Sequence, residues 1–140
     1  MSEALLDFFD PGLEDAYVPL QLGEVTLDDL IFGRPDWPGV LSRHGTPHLL
    51  LAHNPDHFYE AEGHGVPLTL SGHTHGGQIR FPGGPPIIRH SRFCLDEGVF
   101  AFRSSLLVVS RGLGSVGLPW RWGADPEAIL LLVDGGRSSG

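Results

Sequence analysis

The sequence predicts an α/β fold, on three observations. Two compact apolar runs of strand length, PHLLLAH at 47–53 and VPLTLSG at 66–72, flank a short helical pattern, which reads as strand, helix, strand. Glycine (20) and proline (12) make up nearly a quarter of the chain, a composition that favours short elements joined by structured turns and excludes a helix bundle. At 140 residues and 15.2 kDa there is room for one sizeable core but not for two full domains.

Residues 1–17 are acidic, carry Phe8, Phe9 and Tyr17, and suggest a short amphipathic helix broken at Asp10, Pro11 and Gly12. The alternation in VPLQLGEVTL, within Val18 to Leu30, suggests a strand and turn; FGRPDWPGVLSRHG reads as a proline-punctuated loop with one helical turn. PHLLLAH has the unbroken apolarity of a buried strand and ends at His53. Asn54, Pro55 and Asp56 then supply helix-start chemistry, since proline is tolerated in a first turn and Asp56 is placed to cap or tighten it. HFYEAEG forms a short helix stopped by Gly63, and VPLTLSG returns as a second buried strand that delivers His73, Thr74 and His75 at its end. GGQIRFPGGPPIIRH holds too many glycines and prolines for a central strand and reads as a turn, an edge segment and a loop. VFAFRS, SLLVVSRG and EAILLLVDG have strand length and composition, the first two joined as a hairpin at Ser104 and Ser105. The body is then 18–136, between an acidic segment of unassigned role at 1–17 and a frayed tail at 137–140.

The net charge is −8 and all nine basic residues are arginine, so no lysine tract or basic stripe exists to follow a phosphate backbone, and no nucleic acid partner is expected. Cys94 is alone, which rules out an internal disulfide and suits a reducing compartment; with no activating neighbour in view it reads as inert. Glu3, Asp7, Asp10, Glu14 and Asp15 give the start of the chain the wrong sign for a secretory signal. No apolar run approaches the ~20 residues of a membrane helix. A cytoplasmic location is the expectation.

All eight histidines lie between His44 and His90. Both buried strands end in histidine, and open α/β sheets bind ligands beyond the carboxyl ends of their strands. His73 and His75 are flanked by Gly72, Gly76 and Gly77, which give the backbone freedom to splay the two rings. A glycine-flanked His-x-His alone is as consistent with hydrogen-bonded surface histidines as with ligation. His53 at a second strand end tips the reading toward a metal site of His53, His73 and His75, because neutral imidazole suits zinc, iron, manganese or nickel. His44, His48, His57, His64 and His90 read as loop or surface residues. A cupin-like barrel expects a glutamate soon after the second histidine, where Gly76, Gly77, Gln78, Ile79 and Arg80 stand instead, while a mononuclear three-histidine zinc site stays open. Arg111 offers a bidentate fork for a phosphate, or a structural ion pair. Trp120 and Trp122 suit rim packing better than an acyl chain or membrane surface.

Three segments carry a resemblance to a family: LLLAHNPD at 49–56, LTLSGHTHGGQIRFPG at 68–83 and SRGLGSVGLPWRWGADPEAILLLV at 110–133. Together they resemble the C-terminal half of bacterial calcineurin-like metallophosphoesterases, from about Leu22 to the end. They look closest to a membrane-associated subgroup that includes hydrolases of lipid-linked pyrophosphates. The resemblance implies a partial β-sandwich flanked by helices and a two-metal hydrolase of phosphate mono- or diesters or pyrophosphates. By the family pattern His53 and His73 bind one divalent ion (Mn, Fe, Zn or Ni) and His75 the other, the pair generating a hydroxide for in-line attack on phosphorus. Residues 18–136 would be the C-terminal portion of that domain.

The sequence departs from the family pattern in a specific way. Complete members carry an Asp-x-His, a Gly-Asp and a Gly-Asn-His motif, and none of these occurs in the 140 residues. Two divalent ions ~4 Å apart repel by about four times the unit-charge value, itself ~4 kcal/mol at an effective dielectric of 20, and three neutral imidazoles offset none of that. One well-held ion at most is therefore expected, with a non-catalytic metal-binding remnant or a partner-dependent module as the alternative to an enzyme. Half a sandwich also leaves apolar faces open, so a partner chain or self-association is expected, with peripheral membrane contact implied by the subgroup.

Overall fold

A computed structural model describes residues 22–24 and 37–132. Its elements are β1 (Leu22–Glu24), α1 (Trp37–His44), β2 (Leu49–Leu51), a 3-10 turn (Pro55–His57), α2 (Phe58–Gly63), β3 (Leu68–Ser71), a second 3-10 turn (His75–Gly77), β4 (Gly98–Phe102) and β5 (Ser105–Val109). The strands form one five-stranded sheet in the order β1-β2-β3-β5-β4. Every neighbouring pair is parallel except the β4–β5 hairpin. The mixed α/β architecture is the one expected, and among the described residues it is a single sheet. The helix expected within residues 1–17 and the tail at 137–140 lie outside the described residues.

The strand-helix-strand unit forms where the two apolar runs place it. Asn54 caps the turn after β2, its side chain accepting the Asp56 amide at 2.9 Å, and Pro55 sits in the first turn, where its missing N–H costs nothing. The chain leaves α2 through His64 and Gly65, the latter left-handed at φ 80°, and the Val66 amide closes back on the Ala61 carbonyl at 3.0 Å. Register sets Leu50 beside Thr69 and Thr69 beside Leu107, all fully buried, so one sheet face is the covered one. Trp37, Ala61 and Val66 pack with Leu50 and Ala52 there; Phe58 and Leu95 pack with Leu107 and Val109. Alternation turns Leu51 and Leu106 to the opposite face, where they are 40% and 45% exposed.

Two readings are corrected. The prolines around Trp37 conceal an eight-residue helix, α1, because Pro38 falls in its first turn, where proline is compatible. Glu127 to Leu132, which has strand composition, is not a strand: no described strand lies beside it, and Leu130 and Leu132 are 84% and 88% exposed. Apolar composition sets strand propensity, but a strand exists only with a ladder partner. Among the described residues no helix is long and apolar enough to cross a membrane.

Candidate functional site

The parallel strands deliver the histidines to one end of the sheet. Beyond β2 and β3 the ladder runs on for one more step, the Gly72 amide donating to the His53 carbonyl at 3.0 Å, and this ties the His53 turn to the loop that carries His73. The two rings lie edge to face with centroids 5.1 Å apart. His90 comes to the other side of His73, ring centroids 5.8 Å apart.

The 72–78 loop holds its side chains by unusual backbone geometry. His73, His75 and Gln78 have φ of 65°, 52° and 52°. A left-handed conformation costs a non-glycine residue about 1–2 kcal/mol, so three in six residues mark a segment over-determined by its surroundings. Those surroundings are visible. The Thr74 hydroxyl donates to the Asp96 carbonyl and accepts the Gly76 amide, and the Gln78 side chain donates to the Val116 and Leu118 carbonyls at 3.0 and 3.1 Å while accepting the Val116 amide at 2.7 Å. A Cβ on Gly76, itself at φ 63°, would stand 2.7 Å from Cγ of Arg111.

Burial lowers the pKa of His73, helped by the neighbouring His53 and His90 and opposed by Asp56. Burial also lowers that of His75; Gly114 partly opposes, while Arg121, His90 and His53 add to the shift. Both shifts favour the neutral, electron-donating form of the imidazole. Nδ1 of His75 is buried and, despite the pull of the Gly114 backbone, makes no hydrogen bond of normal geometry. These donors fit a divalent ion in kind. Among the described residues, however, no three His, Cys, Asp or Glu side chains meet closely enough to hold one.

Arg111 is engaged by two carboxylates: its amide and Nη2 donate to the two oxygens of Glu127 at 2.9 and 2.7 Å, and Nε lies 3.5 Å from Oε2 of Glu97. Asp56 does not cap its own helix. It accepts from the Ser91 hydroxyl at 2.6 Å and from the Arg92 amide, and so fixes the loop that presents His90. His90 is an exposed loop residue as expected, and that link sets it beside His73. Arg121 was invisible to sequence reading because its donors go to backbone carbonyls of both loops, contacts that no motif records. Trp122 is 44% exposed and packs edge to face on Phe81, centroids 5.4 Å apart; Trp120 is 51% exposed.

An α/β sheet with histidines gathered at the carboxyl ends of adjacent parallel strands is the class of protein that fold and site define. The chain is similar to an uncharacterized metallophosphoesterase of Bacillus subtilis (strain 168), YkuE, with 44% identity over 111 residues, 77% of this chain and 39% of that protein. It is 38% identical over 98 residues to the phosphodiesterase YaeI of Escherichia coli (strain K12), covering 67% and 35% of the two chains. An uncharacterized metallophosphoesterase of Aquifex aeolicus (strain VF5) is 35% identical over 88 residues, 62% of this chain and 33% of that one. No family model and no solved structure matches the chain. The relatives support a metallophosphoesterase family for it, and the mixed α/β sheet fits a fragment of such a protein. The chain spans less than half the length of these relatives.

Proposed function

We propose that the chain is the histidine-bearing part of a metal-dependent phosphoester hydrolase of the calcineurin-like type, with His53, His73 and His75 as ligands. The observation that carries this is the placement of His53 and His73 edge to face at the ends of two adjacent parallel strands, in a segment 44% identical to a protein named a metallophosphoesterase. A bound divalent ion supplies Lewis-acid polarisation of a phosphate. The chain's own residues do the rest: burial favours the neutral imidazoles of His73 and His75, and Asp56 holds the loop that sets His90 beside His73 at the rim, where an imidazole N–H can donate to a phosphate oxygen. Arg111 reaches a phosphate only by exchanging one of its carboxylate partners.

A phosphodiester is the substrate class we favour, since the Escherichia coli relative is named a phosphodiesterase; lipid-linked pyrophosphate, approached at a membrane surface, is the narrower form of the proposal. The Asp-x-His, Gly-Asp and Gly-Asn-His carboxylates and histidine would come from another polypeptide or segment, which would also cover the leucine face of the sheet. The test is metal content and affinity of the purified chain against a His73→Ala, His75→Ala double variant, alongside hydrolysis of a generic mono- and diester with added manganese. Metal binding lost in the double variant supports the reading. Equal binding in both proteins overturns it, and binding without turnover favours the non-catalytic module.

A further inference from the structure

Arg121 directs every arm of its guanidinium at peptide carbonyls. Nε donates to Ala124 at 2.6 Å, Nη1 to Arg111, Gly112 and Gly114 at 3.1, 3.0 and 2.7 Å, and Nη2 to His75 and Arg111 at 2.8 and 3.2 Å. Four of these carbonyls belong to the loop after β5, and one to the loop after β3. Among the described residues no carboxylate pairs with the side chain. The planar fork is what makes this possible, because its donors lie in fixed directions that a flexible ammonium cannot reproduce.

The single carbonyl taken from the other loop is that of His75, and it accepts twice, from Arg121 Nη2 and from the Gln78 amide at 3.0 Å. With both lone pairs of that oxygen used, the peptide plane between His75 and Gly76 is fixed; the preceding plane is anchored by the Gly77 amide donating to the Thr74 carbonyl at 2.7 Å, and between the two fixed planes His75 is held in its left-handed backbone at φ 52°. Gln78 ties the same two loops together through Val116 and Leu118, but its side chain makes no hydrogen bond to His75. Losing the Gln78 side chain therefore breaks a tie between the loops without removing a donor from the His75 carbonyl, since the Gln78 amide remains.

We infer that Arg121 is a positioning residue for His75, acting through the His75 carbonyl to hold the backbone conformation from which that imidazole is presented. Its guanidinium donors are taken by main-chain oxygens, so it acts through the backbone. In its metal-binding consequence the inference rests on the proposed function; in its backbone consequence it does not.

The experiment compares the full wild-type chain with Arg121→Lys, which keeps the charge and loses the fork, and with Gln78→Ala, which breaks the other tie. Without metal, the HN–Hα coupling and Cα shift of His75 should report a left-handed residue in the wild type and in Gln78→Ala, and a changed one in Arg121→Lys. With zinc, the imidazole 15N signals of His53, His73 and His75 should all respond in the wild type. In Arg121→Lys the His75 response should be lost, His53 and His73 should still respond, and zinc affinity should fall about 10-fold or more, the range for outer partners of metal-bound histidine. Arg121→Gln is the second variant should the lysine form not fold, and it must give the same His75 signature. An unchanged His75 in the metal-free arginine variants overturns the inference, as does an equal change in Gln78→Ala. A wild type whose His53 and His73 ignore zinc overturns the proposed function instead, and the metal-free arm still decides the role of Arg121.

Discussion

His53 and His73 stand edge to face, ring centroids 5.1 Å apart, each just past the end of one of two adjacent parallel strands. If both donate to one ion, replacing either by alanine should weaken manganese binding by more than the ~10–100-fold typical of an outer partner. The melting temperature should hardly move, since His53 is exposed and His73 is only partly buried. Calorimetric titration of His53→Ala and His73→Ala, with the exposed His48→Ala as control, checks this; a control that loses as much affinity would point to diffuse surface binding.

Asp56 should matter for stability although it is not a ligand. Asp56→Ala removes the acceptor of the Ser91 hydroxyl and the Arg92 amide, and losing hydrogen bonds to a charged acceptor costs about 1.5–3 kcal/mol. Urea midpoints measure that loss. A nuclear Overhauser contact between His73 and His90 in the wild type, absent from the variant, would show that the tether sets the cluster.

Acid should release the Arg111–Glu127 pair. Burial raises the Glu127 pKa, but the hydrogen bonds and charge of Arg111 outweigh it and hold the carboxyl below the ordinary glutamate value. A depressed carboxyl stabilises the fold above its unfolded value and loses that contribution as pH falls through its folded one. Asp96 has the opposite sign, because burial raises its pKa above 3.8 against the pull of Arg89, so its share of stability falls as pH rises through that window. Stability measured from pH 3 to 7 should therefore show a flatter acid limb in Glu127→Gln and a steeper one in Asp96→Asn.

Gly76→Ala should destabilise by about 1–2 kcal/mol from the left-handed backbone alone. The new methyl would also push Cγ of Arg111 from 2.7 Å away and disturb its pairing with Glu127. Alanine at the exposed Gly114, where a Cβ meets nothing within 4 Å, is the neutral comparison in the same denaturation series.

Leu51 and Leu106 share the open sheet face, and we expect the purified chain to self-associate through it. Light scattering should show a dimer or larger species that Leu51→Asp with Leu106→Asp converts to monomer at similar thermal stability. A monodisperse wild-type monomer would remove the face as the cause of association.

Much of this arrangement is legible in the amino-acid sequence. Apolar runs ending in His53 and in Gly72 gave both parallel strands and the end of the sheet where chemistry collects, because unbroken apolarity and strand direction are local properties. The helix at Trp37–His44 was hidden by prolines that its first turn tolerates. Glu127 to Leu132 was misread because composition reports propensity and not the presence of a neighbouring strand. The roles of Asp56 and Arg121 escape for one shared reason: each acts across more than thirty residues, and such a contact leaves no pattern in sequence.

The five acceptors of Arg121 are peptide oxygens, and none of them takes up a proton in the range where carboxylates do. Arg111 and Arg121 thus grip the same loop with unlike sensitivities. Acid strong enough to protonate Glu127 releases that one latch and leaves the contacts of Arg121 and Gln78 in place, so the segment after β5 stays fastened to the His75 loop by bonds that acid does not break.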